Sequence, residues 1–208
     1  EARGIKLIQI FSDEWEKKRS QVIDLIRKEI EVSRPELTFK DPIHTVYAKS
    51  LKAVDLPLPD GRDFFSRYDV RGCLQGVSRY VGLVRGSIIY FVIAIREDIN
   101  RIQIVQHCSA RGVFVEGAVE KVIKYLGKSK ELELLLDRRL YTGADWMDQG
   151  FKVVSETEPN MYVTLNFKEK FNVTENGYKL SELNEAELHA IHYYRVFDSG
   201  NLILKKIS

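Results

Sequence analysis

From Ile102 to Val163 the sequence reads IQIVQHCSA, RGVFVEGA, VEKVIKYLGKS, KELELLLD, RRLYTGADWMDQ and GFKVVSETEPNMYV. An apolar run comes first, then a glycine-containing turn, then apolar residues at helical spacing. A second apolar run, a short helix and a strand after Gly150-Phe151 complete the stretch. Strands and helices alternating at this spacing predict an α/β domain. Gly117-Ala118 opens a helix straight after a strand, and Trp146-x-x-x-Gly150-Phe151 closes a second strand–helix unit.

Upstream, Arg79–Val84 and Ser87–Ile95 flank Arg85-Gly86, which signals a β-hairpin. Before it stand a short helix at Asp63–Tyr68, after Pro57, Pro59, Asp60 and Gly61, and a strand at Thr45–Leu51. Ile5–Phe11 reads as a strand, and Ser12 or Asp13 can cap the helix that follows. Asp13 and Glu14 fall in its first turn, where the helix dipole favours carboxylates. Trp15, Val22, Ile23, Ile26 and Ile30 recur at helical spacing until Ser33-Arg34-Pro35 breaks the pattern.

Downstream the chain becomes polar from Lys168 to Leu188, with a turn at Asn176-Gly177 and a short helix over Ser181–Leu188. Tyr193–Phe197 and Leu202–Ile207 flank Asp198-Ser199-Gly200-Asn201, so a second hairpin is expected. The organisation read from these signals is an N-terminal strand–helix arm and linker over 1–42, an α/β domain over 43–167, and a C-terminal hairpin extension over 168–208.

The chain has 208 residues, 44% apolar and 30% charged, with a net charge of +2. That is long enough to bury a sizeable core, and too weakly basic to identify a polyanionic partner by itself. Cys73 and Cys108 fall in different elements without a C-x-x-C, which reads as reduced thiols in an intracellular protein. Ser87–Ile95, SIIYFVIAI, is too short for a membrane span and reads as a core strand. The first residues show no signal-peptide pattern. Glu-Ala-Arg-Gly without an initiator Met reads as the start of a fragment or processed form.

The order hairpin, long strand, glycine turn, helix, strand, helix, Gly-Phe and strand resembles the GNAT superfamily of acyl-CoA N-acyltransferases. Val115-Glu116-Gly117-Ala118 and Trp146-x-x-x-Gly150-Phe151 carry the likeness. It implies a mixed sheet flanked by helices, with backbone amides around Val115, Gly117 and Ala118 cradling the pyrophosphate of acetyl-CoA or another acyl-CoA. Arg111 to Ala118 matches that family's turn loosely, and Glu116 puts a carboxylate where a pyrophosphate would lie.

A second resemblance is to tailed-phage homing-endonuclease-like proteins, in the region that follows a Vsr-like PD-(D/E)XK nuclease domain. Gly4-Ile5-Lys6-Leu7-Ile8-Gln9-Ile10-Phe11-Ser12-Asp13-Glu14-Trp15, Asp137-Arg138-Arg139 with Gly143, Thr157-x-Pro159-Asn160 and Tyr194–Leu202 carry it. Where those relatives carry Asn-His before a Gln-Gly, this chain has Tyr68-Asp69 and Arg71-Gly72. The resemblance implies a phage protein of the host cytoplasm, bound to double-stranded DNA, with any nuclease centre upstream of this chain.

Asp137-Arg138-Arg139 ends a strand, where α/β proteins place ligand groups. It reads either as an Asp orienting an Arg pair toward phosphate or as a structural bridge. Arg71 and Arg79, in an aromatic-interleaved basic stretch with Arg62, Arg67 and Arg85, read as phosphate contacts or as a solvated face. Asp137 and Tyr162 are the proton-handling candidates if the domain transfers acyl groups. Pro159-Asn160-x-Tyr162 is expected to fix a hairpin between two strands, and Tyr162 also reads as a plain core residue. His107 and Cys108 are adjacent on a strand and face opposite ways, so a nucleophilic pair is not expected. His189-x-x-His192 lacks a third ligand, and no metal site is expected.

Three functions follow. The first is a DNA-binding accessory part of a homing-endonuclease-like protein, using Arg71, Arg79, Arg138 and Arg139. The second is an acyl-CoA-dependent N-acyltransferase, with a DNA base as one conceivable acceptor. The third is an inactive module that binds a phage or host protein.

Overall fold

The apolar runs of the sequence pair into a seven-stranded mixed sheet with helices on both faces. The computed structural model describes residues 7–34, 37, 42–127, 130–166, 168–172, 180 and 182–206. In chain order the elements are α1 (Ser12–Lys17), α2 (Arg19–Ser33), β1 (His44–Tyr47), β2 (Lys52–Leu56), α3 (Leu58–Tyr68), β3 (Arg79–Arg85), β4 (Ile88–Glu97) and β5 (Arg101–Ser109). Then come β6 (Val113–Glu116), α4 (Ala118–Leu126), β7 (Glu131–Asp137), α5 (Ala144–Met147) and β8 (Phe151–Glu156). The last are β9 (Met161–Leu165), β10 (Glu169–Asn172), α6 (Glu185–Ala190), β11 (Tyr193–Phe197) and β12 (Asn201–Lys206).

The main sheet runs β2-β3-β4-β5-β7-β12-β8. All its neighbours are antiparallel except β5 and β7, which are parallel because α4 carries the chain back between them. On one face Ile93, Ile95, Ile104, Leu134, Leu136 and Leu204 share a core with Val122 and Leu126 of α4 and with Trp146 and Phe151. On the other, Phe64 and Phe65 of α3 pack against Tyr80, Val92, Ala94 and Val105. Each such fully buried side chain contributes about 1.5–3 kcal/mol by leaving water.

The β5–β7 pairing sets the shape of everything near it. It covers only Arg101–Ile104 against Glu131–Leu134. Immediately afterwards β5 bulges, since Ala94 pairs with Gln106 and Ile95 with Ile104, leaving Val105 as the extra residue. A bulge bends its strand. Beyond it β5 and β7 part.

Three sequence expectations are corrected. Tyr193–Phe197 and the strand from Leu202 do not form a hairpin: β11 pairs with β9, and β12 enters the main sheet between β7 and β8. Asp198–Gly200 is a crossing between two sheets, with Gly200 (φ 67°) set against the Thr157 carbonyl. The turn at Pro159-Asn160 likewise does not pair its flanking strands, because β9 joins β10 and β11 in a separate three-stranded sheet. Leu7–Phe11 form no strand; they run irregularly along the end of β7, where the Gln9 amide donates to the Arg139 carbonyl at 3.3 Å. The expectations for Ile5, Lys6, Asn176, Gly177, Ser181 and Ile207 lie outside the described residues.

Candidate functional site

Where β5 and β7 part, a cavity lies on each face of the sheet. Successive strand residues point to opposite faces, so Leu136 lines the first cavity while Leu135 and Asp137 line the second. Val70, on the turn after α3, borders both.

The first cavity, about 640 Å³, is bounded by α2, the start of α4 and the segment around α5. Its floor is aromatic. His107 lies 4.7 Å from the Tyr141 ring centroid and 5.6 Å from that of Trp146, which meets Phe151 edge-on at 5.4 Å. Gly117 stands before α4 with φ 76° and ψ 13°, a left-handed conformation that suits glycine. A Cβ added there would meet only the Ala48 Cβ, at 3.7 Å. The first amides of α4 have no partner within the helix, as at any helix start. Val115, Gly117 and Ala118 therefore come together at this cavity.

Its charges are mostly acidic. Glu116, Glu120, Asp145 and Asp148 line it, and its basic group Lys28 is bound to Asp24 at 2.7 Å and to the Ala110 carbonyl at 3.0 Å. Burial, together with the nearby Arg71, lowers the His107 pKa to about 4, so its imidazole is neutral at pH 7. Burial pushes Tyr141 well above its ordinary value, with Asp69 reinforcing the shift, and its hydroxyl stays protonated. The Cys108 thiol is raised too, chiefly by burial, and its sulfur donates to the Ser109 carbonyl. Neither residue of the 107–108 pair is an activated nucleophile.

The second cavity, about 400 Å³, brings Asp137, Arg139, Arg71 and Tyr162 together with Glu14 and Lys170. Asp137 accepts from the Arg139 amide at 3.0 Å and from Nε and Nη2 at 3.3 and 3.0 Å. Both its oxygens accept from Arg139, so Asp137 orients that guanidinium. Arg139 Nη1 reaches Glu14 at 3.0 and 3.1 Å, and Lys170 donates to the same carboxylate at 2.8 Å. Tyr162 donates to Asp198 at 3.3 Å, and burial and that carboxylate raise its pKa to about 12.

Of the four arginines read as phosphate contacts, Arg139 is buried, Arg71 is partly buried and all four are paired. Arg71 holds Asp69 at 3.0 Å and Arg139 holds Asp137 and Glu14. Arg79 pairs with Asp55 and Glu97, and Arg138 with Glu156. Arg79 and Arg138 border neither cavity. No group of three metal-ligating side chains occurs among the described residues, and none of their helices is long and apolar enough to cross a membrane.

Tyr141, Glu14 and Lys170 of the site escaped the sequence reading. Tyr141 follows Asp137-Arg138-Arg139 by two positions and precedes Gly143, a placement that could have flagged it. Glu14 reads as an ordinary first-turn carboxylate, and nothing local announces its burial.

No protein-family model and no curated protein matches the chain. Among solved structures it is similar to a GNAT family acetyltransferase from Elizabethkingia anophelis with acetyl-CoA bound, at 14% identity and a TM-score of 0.43, over 76% of this chain and 99% of that one. It is similar to a Bacillus subtilis acetyltransferase in complex with CoA, at 12% and 0.42, over 74% and 97%. A third is an IAA acetyltransferase from Bacillus cereus, at 12% and 0.41, over 75% and 98%.

Proposed function

We propose that the chain is an acyl-CoA-dependent N-acyltransferase domain of GNAT type, with the acyl donor in the first cavity and the acceptor on the second face. The observation that carries this reading is the parting of β5 and β7 after four residue pairs, which opens the sheet from both sides at one place. An acyl transfer needs that access, because donor and acceptor must reach the same atom from different directions.

The backbone fits such a donor: the α4 amides after Gly117 form an anion cradle, and the aromatic floor suits an apolar carrier arm. The side-chain charge lowers the affinity, since Glu116 and Glu120 stand where the pyrophosphate would lie. Bound, the group would supply an activated acyl thioester. Tyr141 keeps its proton at Oη against the same cavity and joins Asp137 and Tyr162 as a candidate for handling protons. The burial that keeps that proton also makes it a reluctant donor.

Thermal unfolding with acetyl-CoA tests the reading. Ligand at about ten times its dissociation constant stabilises by roughly 1.4 kcal/mol, so a midpoint that rises with concentration is expected. Glu116→Gln should enlarge the rise by removing a repulsion. A midpoint unmoved at about 1 mM in both proteins overturns the reading. The DNA-binding reading has no free arginine among its four candidates, and a low-salt mobility shift on duplex DNA is its separate test.

A further inference from the structure

α1 is docked in an unusual way: its buried residue is a carboxylate. Glu14 is 5% exposed, while the neighbouring Trp15 is 41% exposed and Leu7 83%. What holds this segment is polar recognition by the turn after β7, the end of β11 with the loop after it, and strand β10, all remote in sequence. Gln9 donates from its backbone to the Arg139 carbonyl and from Nε2 to the Phe197 carbonyl at 2.9 Å, and its Oε1 accepts from Ser199 at 3.0 Å. The Phe11 ring carries the Arg139 guanidinium at 4.6 Å and the Lys170 ammonium at 3.9 Å, and meets Tyr162 edge-on at 6.0 Å. Glu14 then receives Arg139 and Lys170.

A clamped amide, a ring under two cations and a paired carboxylate make the pattern by which a groove recognises a peptide. The groove is larger than its occupant, since about 400 Å³ remains beside Glu14, on the face where β5 and β7 part. Between α1 and α2 the backbone breaks at Lys18, with φ −131° and ψ 32°, which gives the segment a joint.

We propose that Gln9–Glu14 is a ligand bound in cis, and that its groove accepts in trans a peptide presenting an aromatic ring three residues ahead of a carboxylate. The arm then competes with that peptide for Arg139, Lys170, Tyr162, the Phe197 carbonyl and Ser199. The inference rests on the proposed function only in taking the second cavity as the acceptor face. Peptide binding needs no acyl donor, so the two readings fail in different assays.

The test uses the whole chain and a labelled nonapeptide copying Gln9–Lys17, followed by fluorescence anisotropy. A tethered segment acts at an effective concentration of the order of millimolar, so the wild-type protein should bind the peptide only weakly. The double variant Phe11→Ala, Glu14→Gln empties the groove and should bind it at least tenfold more tightly. A peptide carrying the same two changes should bind neither protein. A double variant that melts cooperatively yet binds no better than wild type overturns the proposal, as does equal binding of the changed peptide. Should that variant fail to fold, hydrogen exchange on the wild-type protein decides. Excess authentic peptide should strip protection from the amides of 15–17 where the changed peptide does not, and unchanged protection overturns the idea.

Discussion

The turn at 69–71 and the turn at 137–139 are the same clasp made twice. In each, an aspartate accepts from the amide, Nε and Nη2 of the arginine two residues on, at 2.7, 3.2 and 3.0 Å in the first and 3.0, 3.3 and 3.0 Å in the second. Both border the second cavity. The difference lies in the remaining nitrogen. Arg139 passes it to Glu14, 125 residues away, whereas the Arg71 guanidinium lies 5.6 Å over the Tyr141 ring. One clasp fastens a distant segment to the sheet and the other props the floor of the first cavity. An Asp-x-Arg pair is thus a local unit whose role is set by whatever meets its free edge.

Arg139→Ala should be the most damaging change, because it strands Asp137 and takes one of two cations from Glu14. Removing one partner of a buried pair costs about 3–5 kcal/mol, and the upper end is expected here in urea unfolding. Arg71→Ala strands Asp69 alone and should fall near the lower end of the same range, about 3 kcal/mol. Equal losses would erase the distinction between the clasps. Arg71→Ala should also unsettle Tyr141, readable in near-ultraviolet circular dichroism as a change that is lost when Tyr141 is first replaced by Phe, whereas the change from Arg139→Ala should survive that replacement.

Glu14→Gln keeps the shape and removes the charge, and should cost about 1–3 kcal/mol at pH 7. Its pH dependence sharpens the point. Burial raises the Glu14 pKa, but Arg139 and Lys170 outweigh it and hold the group below its usual 4.5. A depressed carboxylate adds stability that is complete above its unfolded value and is lost as pH falls through the folded one. The wild-type protein should therefore lose stability below pH 4.5 more steeply than Glu14→Gln, and parallel acid limbs would refute the assignment. Arg138→Ala, between the residues of the second clasp, breaks only a half-exposed pair with Glu156 and should shift stability by less than about 1 kcal/mol.

The sequence yielded the α/β class, the β3–β4 hairpin and the run from β5 to β8 because those elements announce themselves locally. The Gly86 turn, the Gly117 helix start and the Trp146–Phe151 contact each join near neighbours. What it hid depends on distant partners. Leu202-Ile203-Leu204 is a short apolar run like many strands, and such a run does not say which strands will flank it. Asp198-Ser199-Gly200-Asn201 has hairpin residues, yet here they carry the chain from one sheet to another. Glu14 sits at a helix start, as carboxylates commonly do, and only Arg139 and Lys170 explain its burial. The grip of Asp137 on Arg139 was hidden for the same reason, since a strand-end aspartate does not announce which side chain it will hold.

The position of β12 has a consequence for how the molecule comes into being. β7 and β8 never touch as partners; the strand that joins them is made only after the whole β9–β11 sheet has been synthesised. On the ribosome, β7 waits with one edge bare, and its sequence Glu-Leu-Glu-Leu-Leu-Leu-Asp is the kind that pairs with strangers. Closure of the main sheet is therefore a late, long-range event, and such pairings are slow. A nascent chain halted before Asn201 would present two open β edges and a half-covered core, the condition in which chaperones find their clients.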